Sequence, residues 1–129
     1  MNKNFLVDQS NGLNCEDGYY DLHNCYDFSG FDYDVFEKTF RLKFVRTSES
    51  IGQRKKLSIK VSGVDSLELS DLFVVHARSN LVELGYKSAG DRDHDWLIGE
   101  EKCLPEDHLF FRFDEDQFIR IHGNRAEVE

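Results

Sequence analysis

The sequence predicts a mostly β fold. It reads as one domain over residues 1–129, an antiparallel β-sandwich or curled sheet with at most one or two short helices. Three observations carry this expectation. Apolar and polar residues alternate in several separate segments, which puts every second side chain on one face of a half-buried strand. Aromatic residues make up 13% of the chain, eleven of them Phe, often beside β-branched neighbours. No stretch sustains a long helical period, and a lone proline, Pro105, with no Gly/Ser-rich run gives no sign of a linker.

The elements follow in order. A short helix fits near Ser10–Asn24. Phe36, Phe40, Leu42 and Phe44 are expected on one face, with Arg41, Lys43 and Val45 on the other. Ser48 to Gln53 reads as a polar turn, after which Leu57, Ile59 and Val61 alternate with Ser58, Lys60 and Ser62. Gly63 to Ser66 turns into a short strand carrying Leu67 and Leu69. Residues 70–79 read as strand or loop, with Ser70 placed to cap a short helix as the alternative. Val82, Leu84 and Tyr86 alternate again, and a second short helix fits near Asp93–Glu101. The clearest hairpin runs from Leu109, Phe111 and Phe113 through Asp114-Glu115-Asp116-Gln117 to Phe118–Ile121. The expected inward set is Phe40, Leu42, Phe44, Leu57, Ile59, Val61, Leu109, Phe111 and Phe113.

A chain of 129 residues with 40% hydrophobic and 32% charged residues can bury a core without staples. A net charge of −9 argues against nucleic-acid binding by phosphate neutralisation. No apolar run is long enough to span a bilayer, and Met1-Asn2-Lys3-Asn4-Phe5 does not lead into a secretory signal. Three cysteines, an odd number, fit a reduced cytoplasmic chain better than a disulfide framework. The charge is also patterned: residues 1–40 carry a net −6, residues 41–65 a net +5 and residues 66–129 a net −8. Such blocks speak to partners more than to fold.

Tests for catalytic and metal motifs fail one by one. Gly85 and Gly90 have the spacing of a phosphate loop, but Asp91 stands where its lysine belongs. Cys15, His23 and Cys25 lack a CxxC pair and would need a fourth zinc ligand from His94, Cys103 or His108. Asp91, Asp93 and Asp95 alternate as at the start of a calcium loop, yet Trp96 replaces the glycine at position six and Lys102 the glutamate at position twelve. An irregular divalent-ion site or metal-dependent enzyme built on these three carboxylates is the alternative reading. The same loop also reads as a contact surface, because the only tryptophan, Trp96, follows it directly. No catalytic residue and no cofactor is expected.

Glu16 to Glu37 is the most unusual stretch, with seven acids interleaved with seven aromatics and no lysine or arginine. Tyrosine supplies contact area at low entropic cost, and carboxylates steer and pair with lysine and arginine. The expected partner-binding residues are Tyr19, Tyr20, Asp21, Asp27, Asp32, Tyr33 and Asp34, joined by Asp91, Asp93, Asp95 and Trp96. The same stretch reads equally as a tyrosine-rich core edge with ordinary surface acids.

The order of segments resembles small β-rich immunity proteins of bacterial toxin–immunity systems. The matching features are the aromatic–acidic lead-in from Tyr19 to Asp34, the strand Phe40-Arg41-Leu42-Lys43-Phe44 and the stretch from Leu57 to Leu67. The hairpin from Leu109 to Ile121, closing on Ala126-Glu127-Val128, completes the pattern. The resemblance implies a cytoplasmic protein that binds and blocks one cognate toxin, without cofactor or catalysis; with the net charge and the aromatic–acidic stretch it points to a basic partner, a toxin nuclease being the example that fits. It leaves the oligomeric state open.

Overall fold

The computed structural model describes residues 1–47, 54–73 and 80–129. Among these the chain forms β1 (Asn2–Lys3), β2 (Phe5–Asp8), β3 (Gly12–Cys15), β4 (Gly18–Asp21), β5 (Tyr26–Asp34) and β6 (Thr39–Arg46). It continues with β7 (Lys56–Ser62), β8 (Ser66–Leu69), β9 (Leu81–Lys87), β10 (His108–Phe113), β11 (Phe118–His122) and β12 (Arg125–Val128). Two single 3-10 turns, Glu100–Lys102 and Asp114–Asp116, lie among the described elements. The expected mostly β fold is what the chain adopts.

Three sheets result, in the orders β1-β12-β7-β6-β5, β8-β11-β10-β9 and β2-β3-β4. All pairings are antiparallel except β1 with β12, which run parallel. The alternating segments place Phe40, Leu42, Phe44, Leu57, Ile59, Val61, Leu109, Phe111 and Phe113 in the core, as expected. The five-stranded and four-stranded sheets meet through a ring cluster. Phe28 of β5 packs 4.7 Å from Phe113 of β10 and 5.5 Å from Phe44, and Phe73 joins Phe28 and Phe113 at 6.2 and 5.4 Å. Burial of each such ring stabilises the fold by about 1.5–3 kcal/mol. The three-stranded sheet is tied on through Tyr20, whose ring meets Tyr26 at 6.2 Å, and through Leu84 N–H donating to Ser10 O at 2.7 Å.

The structure corrects four expectations. No helix forms at Ser10–Asn24; β3 and β4 pair there across a two-residue turn, with Cys15 opposite Gly18. Phe36 is 97% exposed rather than inward, because the chain reverses between β5 and β6 before the strand phase set by Phe40 begins. Val82 is exposed while Leu81, Leu84 and Tyr86 are buried, because the register against β10 shifts between Arg112 and Phe113. Near Asp93–Glu101 only the 3-10 turn Glu100–Lys102 is helical. The turn expected at Ser48–Gln53 lies outside the described residues, as does 74–79 of the segment read as strand or loop. Gly63 sits at φ +62 beside the Asn124 side chain, and the left-handed backbone of the β7–β8 turn favours glycine there. The three cysteines are free thiols. Among the described residues no helix is long and apolar enough to cross a membrane.

Candidate protein-binding site

The aromatic–acidic stretch divides between two sheets. Tyr19, Tyr20 and Asp21 lie on β4 of the three-stranded sheet. Tyr20 is buried and its hydroxyl donates to Asp17 at 2.7 Å, while Asp17 pairs with Arg54 at 2.9 Å. The Tyr19 hydroxyl donates to Asn11 at 2.9 Å. The Asp21 carboxylate accepts the backbone N–H groups of His23 and Asn24 at 3.1 and 2.9 Å and so closes the turn into β5. Tyr26, at the start of β5, is buried with its hydroxyl on Arg54 O at 2.8 Å, and burial pushes its pKa up to about 12.

Asp27, Asp32, Tyr33 and Asp34 lie on β5, which pairs with β6 alone among the described strands and forms one edge of its sheet. Register places Asp32 opposite Arg41, and Arg41 in turn opposite Lys60. The basic block therefore folds beside the acids on one polar sheet face. Lys43 pairs with Asp32 at 2.8 Å and Arg41 with Glu129 at 2.7 Å. These pairs are half-exposed and stabilise little, but they neutralise part of the acidic stretch internally.

At the end of β5 the chain turns through Val35 to Lys38, with Asp34 paired to Thr39. The Asp34 carboxylate accepts the N–H groups of Phe36 and Glu37, both at 3.0 Å, and Lys38 is left-handed at φ +52. This closed turn holds two apolar side chains in water: Phe36 at 97% and Val35 at 67% exposure. Tyr33, 39% exposed, leans on Phe40 at 6.0 Å between the tip and the core. Asp32, Asp34 and Glu37 flank them in the chain. The result is an aromatic tip bordered by carboxylates, on a turn fixed by hydrogen bonds.

The second set, Asp91, Asp93, Asp95 and Trp96, lies in the loop that follows β9. Its cation is internal. The Lys87 ammonium, 2% exposed, meets the Asp91 and Asp93 carboxylates at 2.9 and 3.1 Å and donates to Asp95 O at 2.5 Å. Burial alone would lower the Lys87 pKa, but the two carboxylates outweigh it and raise the value. Asp91 is held below the usual carboxylate range by Lys87 first, and Asp93 by the Asp95 N–H and then Lys87. Arg120, also buried, donates to Asp91 O and Ser88 O, both at 2.8 Å, and Arg112 donates to His94 O. The His94 ring lies tilted over Phe118 at 4.2 Å and Phe110 at 5.7 Å. Three bases on the outer face of the four-stranded sheet thus hold the loop, and Trp96 stands out of it at 90% exposure.

Between this loop and β8 lies a cleft of about 290 Å³ lined by Glu68, His94, His108 and Arg120 among others. His108 Nδ1 accepts from Arg120 Nε at 3.1 Å, so a neutral His108 carries its proton on Nε2. Burial first, then Arg120 and His122, lowers its pKa. Ser66 lines the same cleft. Among the described residues no three His, Cys, Asp or Glu side chains are grouped as a metal ion would require. Of the ligands considered for zinc, His23 Nδ1 sits on Leu81 O and the Cys103 thiol on Glu100 at 3.3 Å.

Sequence reasoning missed Val35 and Phe36 as surface residues and Lys87 as the loop's cation. The available signals were the Asp-x-x-Glu turn at 34–37 and the spacing of Lys87 from Asp91 and Asp93. Comparison with family models, curated proteins and solved structures finds no match for this chain.

Proposed function

We propose that this chain is an acidic, cofactor-free cytoplasmic binding protein of the immunity type, which neutralises a basic toxin, of nuclease class, by covering it. The observation that carries the reading is the β5–β6 tip. An aromatic held 97% exposed on a hydrogen-bonded turn, with Asp32, Asp34 and Glu37 beside it, suits an apolar pocket with a basic rim. The net charge of −9 speeds encounter with such a partner, and the tip sets dissociation once docked. The resemblance of the segment order to that of immunity proteins supports the same class of partner.

The test is co-expression with the product of the gene directly upstream, first expressed alone to establish that it is toxic. The wild-type chain protects the cell, and Phe36→Asp, whose side chain points into water and carries no core packing, loses protection while its circular dichroism is unchanged. Truncation of an interfacial hot spot costs about 2 kcal/mol or more, roughly thirtyfold in affinity. A Phe36→Asp chain that protects as well as wild type removes the tip as the anchor. A wild-type chain that gives no protection removes the function.

A further inference from the structure

We propose that Asp95 and Trp96 form a capture site for an arginine side chain on a basic protein, the guanidinium lying on the exposed indole and pairing with the Asp95 carboxylate. The proposal rests on the reading above for the kind of partner and adds a second contact with its own chemistry. Four features of the loop carry it.

Trp96 is 90% exposed, and tryptophan is among the side chains most often found as the anchor of a protein interface. Its backbone is left-handed at φ +59, a conformation unfavourable for a bulky residue, and the turn directs the indole outward while its neighbour Leu97 packs inward on Gly85. The chain is clamped just before and two residues after it: Asp95 O by the Lys87 ammonium, and Ile98 by a paired bridge to Tyr86 at 2.8 and 3.0 Å. The indole is therefore presented on a fixed support, which lowers the ordering cost of docking.

The charges select the ligand. Asp91 and Asp93 are occupied by Lys87, but the Asp95 carboxylate meets no cation among the described residues. An unpaired carboxylate next to an exposed indole attracts a cation that also has a flat, weakly hydrated face. Arginine meets both conditions, and lysine only the first. A second copy of this chain, at net −9, is repelled.

Trp96 is the only tryptophan, so its own fluorescence reads the site. The whole chain is titrated at low salt with a blocked hexa-arginine peptide, then with hexalysine and hexaglutamate. Hexa-arginine should change the emission saturably, hexalysine should bind at least about threefold more weakly, and hexaglutamate should do nothing. Asp95→Asn should raise the half-saturation concentration about threefold or more, while Glu16→Gln, an equal loss of charge at a remote turn, leaves it in place. A flat hexa-arginine titration overturns the site. Equal responses to Arg and Lys, or equal effects of Asp95→Asn and Glu16→Gln, reduce it to general charge attraction and also overturn it. The outcome is independent of the co-expression test. A flat titration by a protecting chain removes this site alone, and a saturable titration by a non-protecting chain removes the toxin reading alone.

Discussion

His108 faces surroundings that oppose its charge. Burial, the Arg120 guanidinium and His122, 5.4 Å away ring to ring, lower its pKa, with Asp65 and Asp107 pulling weakly the other way. A histidine held neutral in the folded state and free to protonate when unfolded contributes stability that is full above its ordinary pKa of about 6.5 and lost as pH falls through the lowered value. The thermal midpoint should therefore drop between pH 7.5 and 5. His108→Gln keeps an acceptor for Arg120 Nε and carries no titrating proton, so its midpoint should fall less over the same interval. Parallel curves for the two proteins would show that His108 is not the group responsible. Tyr86 is a second residue whose ionisation the fold opposes: burial, then the hydrogen bond its hydroxyl donates to Glu100 at 2.6 Å, raises its pKa. Lys3, which meets Glu100 at 2.6 Å, balances that carboxylate.

Among elements, the loop after β9 shows how an acidic run becomes structure. Asp91 and Asp93 contribute above the ordinary aspartate pKa of about 3.9 and lose that contribution as pH falls through their lowered values. Lys87 contributes below its ordinary value and loses it as pH rises through its raised one, so the clasp is complete across the neutral range. Lys87→Met keeps the buried stem and removes the ammonium, leaving two carboxylates without their cation and the Asp95 carbonyl without its Lys87 donor. The thermal midpoint should fall by roughly 3–8 °C, and the fluorescence anisotropy of Trp96 should fall as the loop loosens; unchanged anisotropy would mean that Arg112, Arg120 and the His94 ring contacts suffice. This clasp was hard to read from sequence, because a solvated acidic run and a lysine neutralised from within look alike in composition. The strands carrying Phe40, Leu57 and Leu109 were legible because each has one wet and one dry face, which imposes period two. The strands β2 to β4 were not. They are four residues each, and the β2–β3 turn takes left-handed φ at Gln9 and Ser10, while the Asn11-Gly12 pair stands one step later, where Gly12 already begins β3. Phe36 was misread because an apolar residue four before Phe40 continues the period on paper, while the Asp34 turn ends it in space.

Across the whole molecule, the charge blocks and the core do different work. Acidic and basic stretches that are separate in sequence lie side by side on the five-stranded sheet, so much of the patterning is settled internally and the net −9 is what a distant partner senses. The core instead runs through all three sheets as one buried cluster, from Phe5 and Leu13 to Ile121 and Val128. A binding face on one sheet can then be rigid only if the others hold, and the small three-stranded sheet is the place to test it. Leu13 on β3 is fully buried, and Leu13→Ala should cost about 2–5 kcal/mol through lost burial and the cavity it leaves. With a urea slope of about 2 kcal/mol/M, the midpoint should fall by roughly 1–2.5 M. Trp96 reports from the loop on the four-stranded sheet, far along the chain from Leu13, so its fluorescence transition should move together with the circular dichroism of the strands. If Leu13→Ala shifted the circular dichroism and left the Trp96 transition where it was, the three-stranded sheet would be a separately unfolding unit, and the face bearing the Trp96 loop would owe its rigidity to the four-stranded sheet and its buried bases alone.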